Sequence, residues 1–248
     1  MIQPVLRTIW VAFIAVVVTI PAATATMVVA MARRSTSPAI DRIIRWWAKS
    51  IVAAAGIDLQ TENVDSVRAD HRYILVSNHY SYFDIPCVFA AIEQPIRFMA
   101  KISLFKIPIF GWALARSGFI PIDRKNRRTA VKSFDLAAKR IRQGNTIVVF
   151  PEEGRSRTRE MRPFQRGGFL LALKSELPIL PIAIDGTHDV FPVGAKRVKP
   201  GRVTVKVGHV MPTAGLSLRD KDRLADGSRA QISRMLFGEV GERASRPQ

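Results

Sequence analysis

The chain has 248 residues, 38 basic against 20 acidic, for a formal charge of +18, and 48% of its residues are hydrophobic. That length holds one large domain or two small ones with a sizeable core, and that charge points to an anionic partner: nucleic acid, lipid headgroups or a phosphorylated substrate. The single cysteine, Cys87, excludes an intrachain disulfide and fits a reducing compartment, and it shows no zinc spacing with His71, His79, His188 and His209.

Residues 8–32 carry no charged side chain, and at about 1.5 Å per residue a continuous helix of that length crosses the ~30 Å hydrocarbon core of a bilayer. Pro21 interrupts it, and neither 8–20 nor 22–32 spans alone, so the segment is one kinked span or a helical hairpin dipping into one leaflet. Arg33, Arg34, Arg42, Arg45 and Lys49 put the following side in the cytoplasm, so the expected location is the cytoplasmic face of the cell membrane. A cleaved signal peptide is the rival, since Ala23-Thr24-Ala25 resembles a cleavage site, but Arg7 is its whole basic region and the mature start would still be apolar.

Residues 40–55 have helical periodicity, with Ile43, Ile44, Trp47, Ile51 and Val52 on a stripe; Trp46 and Trp47 beside basic residues suit a membrane interface, and Gly56 ends the helix. Strands are predicted at 73–76, 97–100, 119–122, 146–150, 179–184 and 203–207, and helices at 85–92, 109–117, 129–143, 167–175 and 218–237. Strands alternating with helices predict an α/β fold: a central mixed, largely parallel sheet flanked by helices, with an N-terminal membrane-embedded helical segment. The expected organisation is a membrane-associated segment at 1–56, an α/β domain at 57–238 and a polar tail at 239–248.

Chemistry-bearing residues recur just past strand ends. After 73–76 come Ser77-Asn78-His79-Tyr80-Ser81-Tyr82-Phe83-Asp84, with His79 and Asp84 on a strand-to-helix turn. Imidazole is suited to taking a proton from an alcohol near neutral pH, and a carboxylate on its other nitrogen fixes the tautomer and stabilises the imidazolium. The same pair also has a bland reading, in which Asp84 only caps the following helix and His79 does no chemistry. No protein nucleophile lies nearby, so the histidine would activate the substrate's own hydroxyl. After 119–122 come Asp123-Arg124, and after 146–150 Pro151-Glu152-Glu153-Gly154-Arg155-Ser156. Two arginines, a serine and a glycine-containing turn in the crevice outside the carboxyl ends of strands suit a phosphate monoester. The charge also suits a membrane-tethered nucleic-acid binder, but no recognised module or aromatic-interleaved basic stripe supports that reading, and no nucleic-acid partner is expected.

Asn78-His79-x-Ser81-x-x-Asp84 resembles the first motif of the glycerolipid acyltransferases typified by 1-acyl-sn-glycerol-3-phosphate acyltransferase. Gly118-Phe119-Ile120-Pro121-Ile122-Asp123-Arg124 resembles the second motif, Phe150-Pro151-Glu152-Glu153-Gly154-Arg155-Ser156 the third and Leu180-Pro181-Ile182 the short fourth, in family order. Two departures stand out. Glu153 and Gly154 replace the glycine and threonine usual in the third motif, and Phe164-Gln165-Arg166-Gly167 lacks the lysine of the downstream pattern, with Arg166 a candidate replacement. The resemblance implies transfer of a fatty acyl group from acyl-CoA or acyl carrier protein to the 2-hydroxyl of lysophosphatidate, without a cofactor or metal and beside anionic membrane lipids. His79 would be the base and Asp84 its orienting partner. Arg124 and Arg155 would bind the acceptor phosphate, with Lys101 a weaker candidate, and Glu152 and Ser156 would position the glycerol or shape the turn. Backbone N–H groups near Gly154 are candidates for an oxyanion hole. Arg127, Arg128, Arg157, Arg159 and Arg162 read as a solvated or lipid-facing surface. Another lysolipid, such as an ornithine lipid precursor, is the alternative acceptor, although one without phosphate leaves Arg124 and Arg155 without a purpose.

Overall fold

A computed structural model describes residues 2–32, 37–68, 70–123, 127–142 and 144–238. Helices α1 (Ile2–Ala32) and α2 (Pro38–Ala55) lead into strand β1 (Ile57–Glu62), and then come β2 (Ile74–Ser77), α3 (Asp84–Ala91), β3 (Ile96–Lys101), α4 (Phe110–Ser117) and β4 (Ile120–Ile122). The chain continues through α5 (Arg127–Arg142), β5 (Thr146–Val149), α6 (Gly167–Ser175), β6 (Ile179–Asp185), α7 (Thr187–Val190), β7 (Gly201–Val207) and α8 (Lys221–Phe237).

The strands form one seven-stranded sheet in the order β1-β7-β6-β2-β5-β3-β4. All neighbours pair parallel except β6 with β7, so β7 and β1 run against the other five. Both faces are covered, which is why every residue of β2 and β5 is buried and their runs Ile74-Leu75-Val76 and Ile147-Val148-Val149 are apolar. The two-residue pleat still sorts their side chains. Leu75, Val148 and Leu180 join the core beneath α2 and α3, whereas Ile74, Val76, Ile147 and Ile179 join the one beneath α5, α6 and α8.

The sequence reading missed β1, whose Asp58, Gln60 and Glu62 face outward on an edge and leave only Ile57 buried. It also left α1 as a kinked span or a hairpin, and α1 is one uninterrupted helix with Pro21 inside it. By length and composition Val5–Ala32 could cross a membrane. One side of it packs on the rest of the chain: Val11 and Val18 belong to the α2–α3 core, Trp47 Nε1 donates to Thr19 Oγ1 at 2.8 Å, and Arg7 donates to the Ala55 carbonyl at the end of α2. The other side exposes Leu6, Ile9, Trp10, Phe13, Val16 and Ile20. The tryptophan pair therefore divides. Trp46 is half exposed while Trp47 is turned onto α1, because adjacent helical residues lie about 100° apart.

Candidate active site

The five parallel strands end along one rim, which carries the residues singled out in the sequence. Between β2 and α3 the chain turns sharply, and Asn78 pins the turn. Its carboxamide donates to the Ile184 carbonyl at 2.9 Å and accepts the Ile184 N–H at 2.8 Å, doing for the end of β6 what a further ladder residue would do. His79 and Asp84 follow on this fixed turn.

Asp84 has no exposed surface, and a buried carboxylate is tolerable only when its oxygens are hydrogen-bonded. Oδ2 accepts from the Tyr80 and Ser81 N–H groups at 2.7 and 2.9 Å and lies 2.7 Å from His79 Nδ1, and Oδ1 accepts from Thr187 Oγ1 at 2.5 Å. Three of these partners belong to the turn before α3, so Asp84 is a hub rather than a cap of the helix it begins. The hub orients His79. Its ring stacks on Phe150, with centroids 4.1 Å apart and 14° between planes, and 13% of its side chain stays exposed. With Nδ1 held by a carboxylate, Nε2 is the nitrogen left for chemistry, and no described residue hydrogen-bonds to it.

The turn after β5 closes against this group. Glu152, 2% exposed, accepts the His79 N–H with one oxygen and the Arg162 N–H with the other, both at 2.7 Å, while the Ser156 N–H donates to the His79 carbonyl at 2.9 Å. Burial pushes the Glu152 carboxyl up to about 7, against the pull of those two N–H bonds. Ser156 Oγ accepts from the Thr158 N–H at 3.3 Å, so it shapes its own loop. The exchanged pair in the third motif puts a glutamate where the backbone favours glycine. Glu153 takes the left-handed conformation, φ +53°, that glycine ordinarily supplies. A Cβ on Gly154 would sit 2.6 Å from the end of the Arg162 side chain.

The arginines separate by partner. Arg155 lies flat on the exposed ring of Tyr82, its Cζ 3.5 Å from the centroid. Arg159 is paired with Asp189, and Arg157 and Arg162 are exposed, as expected of a solvated surface. Arg166 does not replace the missing lysine. It is turned away onto Asp222 and Asp226 of α8, a long-range pairing with no local signature. Lys101 ends β3 on the same rim with its side chain exposed, and no contact joins it to His79. Arg124 and the side chains of Arg127 and Arg128 lie outside the described residues. Sequence reasoning missed the roles of Thr187, Phe150 and Tyr82. Thr187 follows β6 just as His79 follows β2, and that shared placement was the available signal.

A family model for acyltransferases matches residues 58–185, just over half the chain, and the chain belongs to that family. Within it, the similarity runs to the enzymes that acylate 1-acyl-sn-glycerol-3-phosphate. A 1-acyl-sn-glycerol-3-phosphate acyltransferase of Chlamydomonas reinhardtii is 32% identical over 172 residues, covering 69% of this chain and 50% of that protein. The human 1-acyl-sn-glycerol-3-phosphate acyltransferase beta is 26% identical over 185 residues, covering 74% of this chain and 66% of that protein. The chain spans about half the length of the algal and plant relatives it matches. The crystal structure of the 1-acyl-sn-glycerophosphate acyltransferase PlsC from Thermotoga maritima superposes with a TM-score of 0.79 at 25% identity, covering 100% of this chain and 98% of that one.

Proposed function

We propose that the protein transfers a fatty acyl group from a thioester, acyl-CoA or acyl carrier protein, to the sn-2 hydroxyl of 1-acyl-sn-glycerol-3-phosphate, giving phosphatidate. The observation that carries the chemistry is the 2.7 Å contact between His79 Nδ1 and a fully buried, fully hydrogen-bonded Asp84. His79 Nε2 takes the hydroxyl proton as the oxygen attacks the thioester carbonyl, a C–O bond forms, the C–S bond breaks, and the imidazolium returns the proton to the departing thiolate. Asp84 keeps the proton on Nδ1 and stabilises the imidazolium. The Gly154 and Arg155 N–H groups, which reach no acceptor among the described residues, are the donors free to meet the developing oxyanion.

Transfer is direct, with no acyl-enzyme. Ser81 Oγ is spent on the Phe191 carbonyl, Ser77 Oγ on the Asn78 carbonyl, and burial pushes the Cys87 thiol far above its ordinary range. Arg155 binds the acceptor phosphate together with Arg124, and Lys101 is a further cation on that rim. Glu152 and Ser156 hold the turn that carries Arg155. The acyl chain has an apolar place to lie: a cavity of about 160 Å³ lined by Ile43, Trp47, Phe98, Leu104 and Phe110. Phe98 stacks on Phe150 and Phe150 on His79, so this cavity begins two rings behind the base. The exposed apolar side of α1 rests in the membrane, with the catalytic rim on its cytoplasmic side.

Purified protein incubated with palmitoyl-CoA or palmitoyl-acyl carrier protein and a panel of lysolipids tests this, with products read by mass spectrometry. Phosphatidate from lysophosphatidate with either donor supports the reading. Product from lyso-ornithine lipid alone refutes the phosphorylated acceptor, and no acylation with any pair refutes the reaction.

A further inference from the structure

We infer that Tyr82 is a positioning residue for the acceptor: its ring holds the Arg155 guanidinium ready for the phosphate monoester of the incoming lysophospholipid. This rests on the reading of Arg155 as a phosphate ligand and adds the residue that presents it. The geometry of the stack is the reason. A guanidinium lying 3.5 Å above a ring centroid uses its face for the contact, while its N–H donors radiate in its own plane. Stacking therefore costs Arg155 none of the donors that a bidentate phosphate contact needs.

The surroundings fit the same role. Arg159 and Arg166 in the same loop are tied to carboxylates, but Arg155 has no ion pair among the described residues, so nothing anionic competes with a phosphate. Tyr82 lies beside the tilted Phe191 ring, with centroids 6.4 Å apart, and the Phe191 carbonyl is held by Ser81 Oγ at 2.8 Å. Arg155 is fixed at its base by the neighbouring Ser156 N–H on the His79 carbonyl. A ring carried by the His79 turn thus holds a guanidinium whose own loop is tied to that turn. An unrestrained arginine would lose rotamer freedom on meeting phosphate, and the stack removes part of that loss beforehand.

The test is steady-state kinetics of Tyr82→Leu, Tyr82→Phe, Arg155→Ala and the Tyr82→Leu/Arg155→Ala double variant, with the donor saturating. An exposed cation–π contact contributes about 0.5–1 kcal/mol, so Tyr82→Leu should raise KM for lysophosphatidate about 2- to 5-fold while kcat and the donor KM hold. Tyr82→Phe, which keeps the ring face, should restore the wild-type KM, and Tyr82→Leu should add nothing once Arg155 is alanine. If Arg155→Ala raises the acceptor KM but Tyr82→Leu does not, Tyr82 has no positioning role and the phosphate reading survives. If Tyr82→Leu acts equally with and without Arg155, its effect is not through the stack and the inference falls. If Arg155→Ala leaves the acceptor KM unchanged, the phosphate reading fails and the inference with it.

Discussion

Two adjacent glutamates in the turn after β5 are set apart by burial and by backbone conformation. Glu152 has its carboxyl raised from 4.5 to about 7 by burial. Between those values the folded chain keeps a proton that the unfolded chain has released, so stability falls as pH rises across the window. Below it both states are protonated, and above it both are ionised, so the slope is confined there. Glu152→Gln cannot titrate. Thermal unfolding in detergent at several pH values from 4.5 to 7 should show wild type losing stability relative to the variant as pH rises; a flat difference or the opposite slope contradicts the assignment. Its neighbour Glu153 pays in backbone strain. The left-handed conformation costs a non-glycine residue roughly 1–2 kcal/mol, and glycine returns about 0.5–1 kcal/mol of that as unfolded-state entropy. Glu153→Gly should therefore gain roughly 0.5 kcal/mol, a rise of about 1–2 °C in Tm, and a fall in Tm would mean that the side chain does more than occupy the turn.

At the scale of elements, one buried pair ties the N-terminal helices to the sheet. Arg97 on β3 is 1% exposed, and its Nη1 lies 2.7 Å from Asp41 Oδ1 on α2. Removing one partner of such a pair strands the other charge, so Asp41→Ala should cost about 3–5 kcal/mol of stability, and Asp41→Leu/Arg97→Met should recover most of it. A loss below about 1 kcal/mol from Asp41→Ala, measured by thermal unfolding, would show that α2 is held by apolar packing alone. Neither residue stood out in the sequence, because their partnership joins a helix to a strand more than fifty residues away. The same reasoning divides the rest of the fold. β2, β5 and β6 were legible because burial on both faces writes apolar runs of three to six residues into them. β1 was not, because an edge strand with one buried residue carries too little pattern. In the site, His79 and Asp84 were legible because both sit on one local turn. Thr187, a hundred residues on, joins them only because β6 lies beside β2. Arg166 looked like a replacement cation until α8 placed Asp222 and Asp226 against it.

For the whole molecule, the proposed membrane attachment rests on α1 and the +18 charge together. In the proposed reading, the apolar helical side that stays exposed after folding meets a lipid surface, and the basic residues favour an anionic one. In cell fractionation the protein should sediment with membranes, resist high salt and dissolve in detergent. Release by salt would reduce the attachment to electrostatics, and a soluble extracytoplasmic form beginning near Thr26 would make the segment a cleaved leader. Once on the membrane, the molecule's task as proposed is one acyl transfer driven from His79. The direct test is thiol release from palmitoyl-CoA with lysophosphatidate, comparing wild type with a His79→Ala variant of unchanged Tm. General-base catalysis contributes about 10²- to 10⁴-fold, and the account predicts a loss of that size in kcat with phosphatidate formation falling in step. A His79→Ala variant that keeps its rate within about threefold of wild type would contradict it.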